Sequence, residues 1–464
     1  MATQTLETDY LVIGSGAGGM AFTDALIDAS DAQVVMVDRR AAPGGHWLEA
    51  YPFVRLHMPS AVYGVNSLPL GNDTIDRDGH NRGLYERASA SEICAYYERV
   101  MRDRLLPSGQ VRYFPMCEYL GGRRFVSRLS GDRYDVTVRN KVVDATYLEP
   151  AIPASTRPPF QVDTGCQCVP VGELPRFAGD FDRYSVIGAG KTSMDACLWL
   201  LEGGVPPDRI QWVKPREPWL VNRRFFQCAD LVGTSFIGVC MIAEAAAEAQ
   251  TGDEFLALLD EAGWLLRTDN DVIPTGFKGA LATESELKQL RSIEHVTRLG
   301  HVRRIGPETL SLEEGAEGTT PDTLHVHCAA AGLNRAPAVP VFSEDLVTVQ
   351  ALRLSGFPFS AALEGFVEAS REDPREKNRL CHSMPYPDEP FDALRIVHAE
   401  MVAAQIWQQE PDVQEWLGGA RLHWLRDLEG HTDEPEVQGA FGRFLENIGP
   451  GTENLGRLVS QSAA

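Results

Sequence analysis

Two glycine clusters carry the clearest chemistry in this 464-residue chain. Gly14, Gly16 and Gly19 fit the spacing G-x-G-x-x-G. The first glycine of such a run permits a tight turn. The second lets a pyrophosphate come against the backbone, and the third lets the following helix pack closely on its strand. A helix beginning there offers unbonded N–H groups and a partial positive charge to phosphate. Asp38 stands 19 residues after Gly19 and closes the next apolar run. A carboxylate at that point accepts hydrogen bonds from ribose hydroxyls, so the group predicts a bound dinucleotide.

Gly188 and Gly190 repeat the arrangement, with Ser193 at the third position and Lys191 and Thr192 directly beside the turn. Past the next apolar run the chain reads Lys214-Pro215-Arg216. An NAD site places an acid there, whereas cations suit the 2′-phosphate of NADP. Gly190-Lys191-Thr192 is not the end of a P-loop, because Ser185 stands where that motif needs a glycine.

These groups need strands and helices to hold them. Residues 9–13 form a short apolar run suited to a buried parallel strand, followed by the glycine turn, a helix, and a second buried strand ending at Asp38. Helix is expected over 90–106, and antiparallel strands over 111–119, 124–129 and 134–139. The proline-rich stretch 150–175 reads as a linker between lobes. The strand–turn–helix–strand pattern then recurs over 184–213, the one internal repeat. Helices are expected over 238–265 and 284–292, strands over 323–328 and 346–350, and mostly helix beyond residue 360. The alternation predicts an α/β chain with two Rossmann-like units.

Bulk properties remove several function classes. The 65 acidic and 43 basic residues leave a formal charge of −22, which speaks against nucleic acid and anionic membranes as partners. No run of about 18 apolar residues marks a membrane span. The first ten residues have neither the basic segment nor the apolar core of a signal peptide. The nine cysteines are scattered, as expected of reduced thiols in a cytoplasmic protein.

With these motifs in place, the chain resembles the flavoproteins with two dinucleotide-binding domains. Within them it is most similar to the class B flavoprotein monooxygenases: flavin-containing, Baeyer–Villiger and amine N-hydroxylating. The resemblance is carried by residues 14–19 (GSGAGG), Asp38, Pro43-Gly44-Gly45-His46-Trp47, Tyr51-Pro52 and Gly188-Ala189-Gly190. Asp144-Ala145-Thr146 resembles the A-T-G strand of FAD sites, with Tyr147 in place of the glycine. Residues 327–332 look like the return of the chain to the FAD domain. The Baeyer–Villiger motif F-x-G-x-x-x-H is not intact, since Phe177-Ala178-Gly179 begins it and Arg183 stands in place of the histidine.

The resemblance implies FAD against Gly14, Gly16, Gly19, Asp38, Arg39, Gly45, His46 and Trp47. It implies NADPH against Gly188, Gly190, Lys191, Thr192, Lys214 and Arg216. It implies an FAD-binding domain over 1–175, an inserted NADP-binding domain with a helical insertion over 176–322, a return over 323–370, and a helical C-terminal region over 371–464. In such proteins NADPH reduces the flavin, which then oxygenates a small organic substrate through a flavin hydroperoxide. Arg55, His57 and Asn66 are the candidate catalytic residues, on the segment that follows the G-G-x-W run. Gln350 is expected as a further flavin contact, and the helix beginning near Phe357 is expected to point its N-terminus at the flavin.

Two other readings use the same motifs: an NAD(P)H reductase or oxidase, and a flavin-binding redox sensor without catalysis. A disulfide reductase needs a redox pair beside the flavin, and no C-x-x-C occurs. Cys166-Gln167-Cys168 is the one close pair, in spacing unsuited to an unstrained bridge. Cys166, Cys168, His325 and His327 lack the usual zinc spacing, so no metal is expected. Trp407, Trp416 and Trp424 lie on helical stretches and suit core or dimer contacts.

Overall fold

A computed structural model describes residues 3–330, 332 and 334–462. The apolar run that ends at Ile13 is the centre of a seven-stranded sheet. Strand β1 (Thr3–Ile13) pairs in parallel with β2 (Val34–Val37) and β6 (Arg133–Asp144). Beyond β2 lies β3 (Val111–Phe114), and β19 (Leu346–Thr348) pairs in parallel with the far end of β6. All four residues of β2 are buried, as a strand covered on both faces requires. The near end of β6 instead pairs antiparallel with β5 (Arg124–Ser127), which pairs with β4 (Cys117–Gly121).

The strand expected over 111–119 is therefore two. Met116 takes a left-handed backbone between them (φ 53°), and the first half runs parallel to β2 rather than antiparallel. Helix α1 (Ala17–Asp28) lies against α8 (Phe357–Ser370). A side chain on Gly365 would come within 2.4 Å of the Phe22 carbonyl, so the two helices pack backbone to backbone. Helix α2 (Ala90–Val100) opens with a capping box between Ser89 and Glu92. It continues as a wider helical turn over Met101–Leu105 and a tighter one over Leu106–Ser108, so the helical stretch covers the expected one.

A second sheet is wholly parallel. It contains β8 (Gln167–Pro170), β9 (Arg183–Ile187), β10 (Ile210–Val213), β14 (Val296–Thr297) and β18 (Thr323–His327), in the order β14-β10-β9-β18-β8. Helix α3 (Leu174–Phe177) follows β8, α4 (Lys191–Glu202) follows the second glycine turn, and α7 (Glu284–Leu290) flanks the sheet. Two expectations change. Residues 150–175 are not simply a linker, because β8 is an edge strand of this sheet. Thr323–His327 lies inside this sheet, so the chain regains the first sheet only at β19. Of the segment 327–332, Ala331 lies outside the described residues.

Two smaller sheets complete the molecule. Strands β11 (Pro218–Asn222), β12 (Leu265–Leu266) and β13 (Gly276–Ala282) form one, beside α5 (Val232–Glu248) and α6 (Gly252–Glu261). The other joins β7 (Gln161–Val162), β15 (Val302–Ile305), β16 (Thr309–Leu312) and β17 (Gly315–Gly318). Helices α9 (Pro374–Leu380), α10 (Asp392–Gln408), α11 (Pro411–Gly419) and α12 (Pro435–Ser462) form the C-terminal part. The stretch Ala229–Glu248 is long and apolar enough to cross a membrane. Half of it is buried within the molecule. Trp407 and Trp416 pack around Phe359 of α8, and Trp424 stacks on Phe226.

Candidate functional site

One cavity of about 900 Å³ is lined by both glycine turns. At the first, Gly14 takes a left-handed backbone (φ 99°) and donates its N–H to Val37 O at 2.8 Å. Gly19 allows the closest approach in the turn, since a Cβ there would lie 2.0 Å from Gly14 O. Asp38 secures the turn from below. One carboxylate oxygen accepts from Ser15 N (2.6 Å) and Ser15 Oγ (2.8 Å), the other from Arg40 N (2.8 Å). Asp38 also lines the cavity, as do Gly14, Gly16 and Arg39, whose guanidinium pairs with Glu149 at 2.5 Å.

Gly45, His46 and Trp47 line the same space. Trp47 donates its indole N–H to Tyr63 Oη at 2.7 Å, which fixes both rings on the wall. Burial and the nearby Arg40 cation push His46 down to about 4.

At the second turn, Gly188 is left-handed (φ 143°) and Ser193 Oγ donates to Gly190 O at 2.7 Å. The space where a Gly190 side chain would stand is open, as an approaching ligand needs. Gly188, Gly190, Lys191 and Thr192 line the cavity. Lys191 is nearly buried and pairs with Asp195 one helical turn on, and at 3.7 Å with Glu286. Asp195 also accepts from Tyr51 Oη at 2.7 Å. Asp195 therefore joins Tyr51, which also lines the cavity, to Lys191 at the second turn.

Lys214 is a correction. It is only 1 % exposed and does not line the cavity. Its ammonium pairs with Glu217 at 2.5 Å and donates to Thr268 Oγ1 at 2.8 Å, over the Trp212 ring. Its charge is used internally. Arg216 does line the cavity.

The three candidate catalytic residues separate. His57 lines the cavity, and its carbonyl accepts from Arg223 Nε at 2.9 Å. Burial, together with the Lys191 cation, pushes its imidazole down to about 3. Arg55 is exposed outside the cavity and donates to Arg87 O at 2.9 Å. Asn66 also lies outside, where its Oδ1 accepts from Leu422 N at 3.2 Å. Beside it, Arg421 donates to the carbonyls of Ala61, Tyr63 (2.7 Å) and Val65, so one C-terminal residue fastens the wall segment. Gln350 is buried away from the cavity and holds Val339 through both its amide atoms. Gly356, Phe357 and Pro358, at the start of α8, do line it.

Sequence reasoning did not single out Asp195, Lys278, Arg335 or Asp388, all at or beside the cavity. Only the Lys191–Asp195 spacing of four on a helix gave a local signal. Among the described residues, no group of three or more His, Cys, Asp or Glu is gathered to hold a metal.

His46 and His57 are both expected to stay neutral through the physiological range. Their pKa values are lowered on folding, so the folded state disfavours the imidazolium. Stability from these groups is intact above the ordinary value of 6.5 and is lost as pH falls below it toward about 4 and 3. Imidazole C2–H resonances assigned with His46→Gln and His57→Gln should not shift between about pH 6 and 8. A midpoint near the ordinary value for either would refute the buried placement.

No protein-family model matches the chain. Uncharacterized proteins of Mycobacterium tuberculosis and Mycobacterium bovis are 46% identical to it over 466 residues, covering 99% of this chain and 86% of theirs. Among solved structures, polycyclic ketone monooxygenase from the fungus Thermothelomyces thermophila has a TM-score of 0.52 at 12% identity, covering 97% of this chain and 86% of that one. Cyclohexanone-bound cyclohexanone monooxygenase has a TM-score of 0.50 at 13% identity, over 95% of this chain and 99% of that one. The second likeness, like the first, is one of fold.

Proposed function

Because the chain belongs to the family of these uncharacterized mycobacterial proteins and has the fold of flavoprotein monooxygenases, we propose that it is an FAD-dependent, NADPH-using oxidoreductase that oxygenates a small organic molecule in the cytoplasm. The observation that carries this reading is the single cavity lined by both glycine turns, which lets two dinucleotides meet at their reactive ends.

The residues present fit such cofactors. Gly14 and Gly16 line the cavity at the α1 N-terminus, where a pyrophosphate would be held, with Asp38 lining it at the ribose position, and Gly19 lets α1 pack closely on the turn. Gly190 leaves open space at the start of α4. Bound FAD would supply two-electron transfer from NADPH and reaction with oxygen. The chain's own residues supply the rest. Leu56, Met58, Trp219, Phe277 and Leu354 line the cavity with apolar surface that excludes water. His57, neutral, offers a hydrogen bond without a competing charge. Lys191, balanced by Asp195, places an ammonium beside the second turn.

A second reading is an NADPH-dependent reductase or oxidase on the same scaffold. It is favoured by the position of Arg55 and Asn66, two candidate oxygen-handling groups that lie outside the cavity. A disulfide reductase is less favoured, because Cys166 and Cys168 pack against Ile187 and Val213 and do not line the cavity.

Stopped-flow absorbance on the FAD-loaded protein separates these. NADPH should bleach the flavin band, and oxygen should then give a transient spectrum unlike oxidised or reduced flavin. Bleaching followed by direct return to the oxidised spectrum selects the reductase or oxidase. No bleaching by NADPH or NADH removes both.

A further inference from the structure

We infer that Tyr51 is a positioning residue for hydride transfer: with Asp195 it clamps the second glycine turn against the wall that carries His46 and Trp47, at one fixed separation. This rests on the NADPH-using reading above.

The clamp belongs to a stripe on α4. Lys191, Asp195 and Trp199 follow one another at intervals of four and Glu202 comes three later, so all share one face of the helix. The segment that follows the Gly45–Trp47 run meets this face. Tyr51 Oη donates to Asp195 Oδ2 at 2.7 Å. The Phe53 ring, 4.9 Å from that of Tyr51, stacks on Trp199 at 5.3 Å with 23° between the planes. His80 Nε2 lies 3.3 Å from Glu202 Oε1, and His80 also bonds Ser285 and Gln289 of α7. The stripe is therefore held from the first residue of α4 to its last.

Within the stripe, the Tyr51 contact is the one that reaches the cavity. Tyr51 and Lys191 line it, whereas Phe53, Trp199, His80 and Glu202 do not. Both oxygens of Asp195 are engaged, Oδ2 by Tyr51 and Oδ1 by the Lys191 ammonium. Lys191 opens α4 directly after Gly190, where space is left for a ligand. A movement of Tyr51 is thus passed to the turn through two hydrogen bonds. On its other side Tyr51 follows Trp47 by four residues, and the Trp47 indole is itself held by Tyr63.

Hydride transfer makes a strict demand on that separation. The C4–H bond of the nicotinamide breaks, and the hydrogen leaves with its electron pair for N5 of the flavin, so NADPH becomes NADP⁺ as the flavin is reduced. Such atoms react when held about 3–3.5 Å apart, and a misplacement of about 1 Å costs on the order of a hundredfold in rate. A hydroxyl bonded to a carboxylate is short and directional enough to keep that tolerance. Two stacked rings can slide and are not. Burial, with the Asp195 carboxylate beside it, pushes the Tyr51 hydroxyl well above its ordinary value, so it remains a donor at every pH the fold tolerates.

Tyr51→Phe keeps the ring and removes the clamp. In the full, FAD-loaded chain, anaerobic stopped-flow reduction by NADPH should show a limiting rate about tenfold to a hundredfold lower. Calorimetric affinity for NADP⁺ should stay within about twofold of wild type. In the flavin-free protein, backbone amides of residues 189–196 should exchange with deuterium several-fold faster than in wild type. Asp195→Ala should also slow reduction, and the double variant should be no slower than the slower single one, since both substitutions remove one bond. Phe53→Leu, which weakens the stack on Trp199, should leave the limiting rate as it is. Circular dichroism checks folding, and if one of the two clamp variants fails to fold the other reads the same bond. If Tyr51→Phe spares the limiting rate, with or without a change in NADP⁺ affinity, the clamp is wrong. It is also wrong if reduction slows without faster exchange at the start of α4, or if the two substitutions add in full. If NADPH does not bleach the wild-type flavin, the NADPH reading falls and takes this inference with it.

Discussion

Gly19→Ala is expected to cost about 3 kcal/mol or more and to give protein that retains no flavin. The added methyl would sit 2.0 Å from Gly14 O, 3.1 Å from Gly14 C and 3.3 Å from Ala145 Cβ. Two of those atoms are backbone, so no rotamer change relieves the clash. Helix α1 would have to back away from β1, and the helix N-terminus proposed to meet the pyrophosphate would move with it. Gly190→Ala is the control. Nothing lies within 4 Å of its Cβ, so stability should hold while NADPH affinity falls. Urea unfolding read beside flavin absorbance decides the matter. A stable, yellow Gly19→Ala protein would show that the turn is not as described.

Arg223→Met should lower stability by about 1–3 kcal/mol at neutral pH, because it removes the guanidinium that hydrogen-bonds the buried Glu286 carboxylate and leaves that group only the more distant Lys191 and Arg87 cations. Arg223 is fully buried. It donates to Glu286 Oε1 and Oε2 (3.0 Å each), His57 O (2.9 Å) and Leu281 O (3.2 Å). One side chain thereby joins the cavity wall, β13 and α7. Burial alone would raise the Glu286 carboxyl, but the Lys191, Arg223 and Arg87 cations outweigh it and hold the group far below the ordinary 4.5. A depressed carboxyl contributes stability that is present above the unfolded value and is lost as pH falls toward the folded one. The gap between wild type and variant should therefore be widest near pH 7 and narrow below about 4.5. Denaturant midpoints across that range test it. A gap independent of pH would assign Arg223 to packing alone.

The glycine turns were legible because their geometry is local. Gly14, Gly19 and Gly188 answer to a turn and a helix start within a few residues, so spacing alone locates them. Side chains whose orientation depends on distant partners were not legible. Asn66 is turned away from the cavity by Leu422, and Gln350 is occupied by Val339 across a loop. Lys214 was misread although its partner, Glu217, is three residues away, because the burial that turns it inward comes from Trp212 and Thr268. Strand β8 hid in a proline-rich stretch, since a four-residue edge strand leaves little periodicity to detect. Asp388 lay in a segment without any motif, and only the fold brings Arg216, Lys278 and Arg335 to it.

The hold of Arg421 on the carbonyls of Ala61, Tyr63 and Val65 sets an order of events during synthesis. When Thr323–His327 has left the ribosome, every strand of the second sheet exists, while the first sheet still lacks Leu346–Thr348. The wall bearing His57 and Tyr63 waits longer, until residue 421 emerges. Domains form as their parts become available, so the nascent chain acquires its two glycine turns well before the wall segment is fastened. A chain released before Arg421 would keep both larger sheets and lose the hold on the wall segment 61–65.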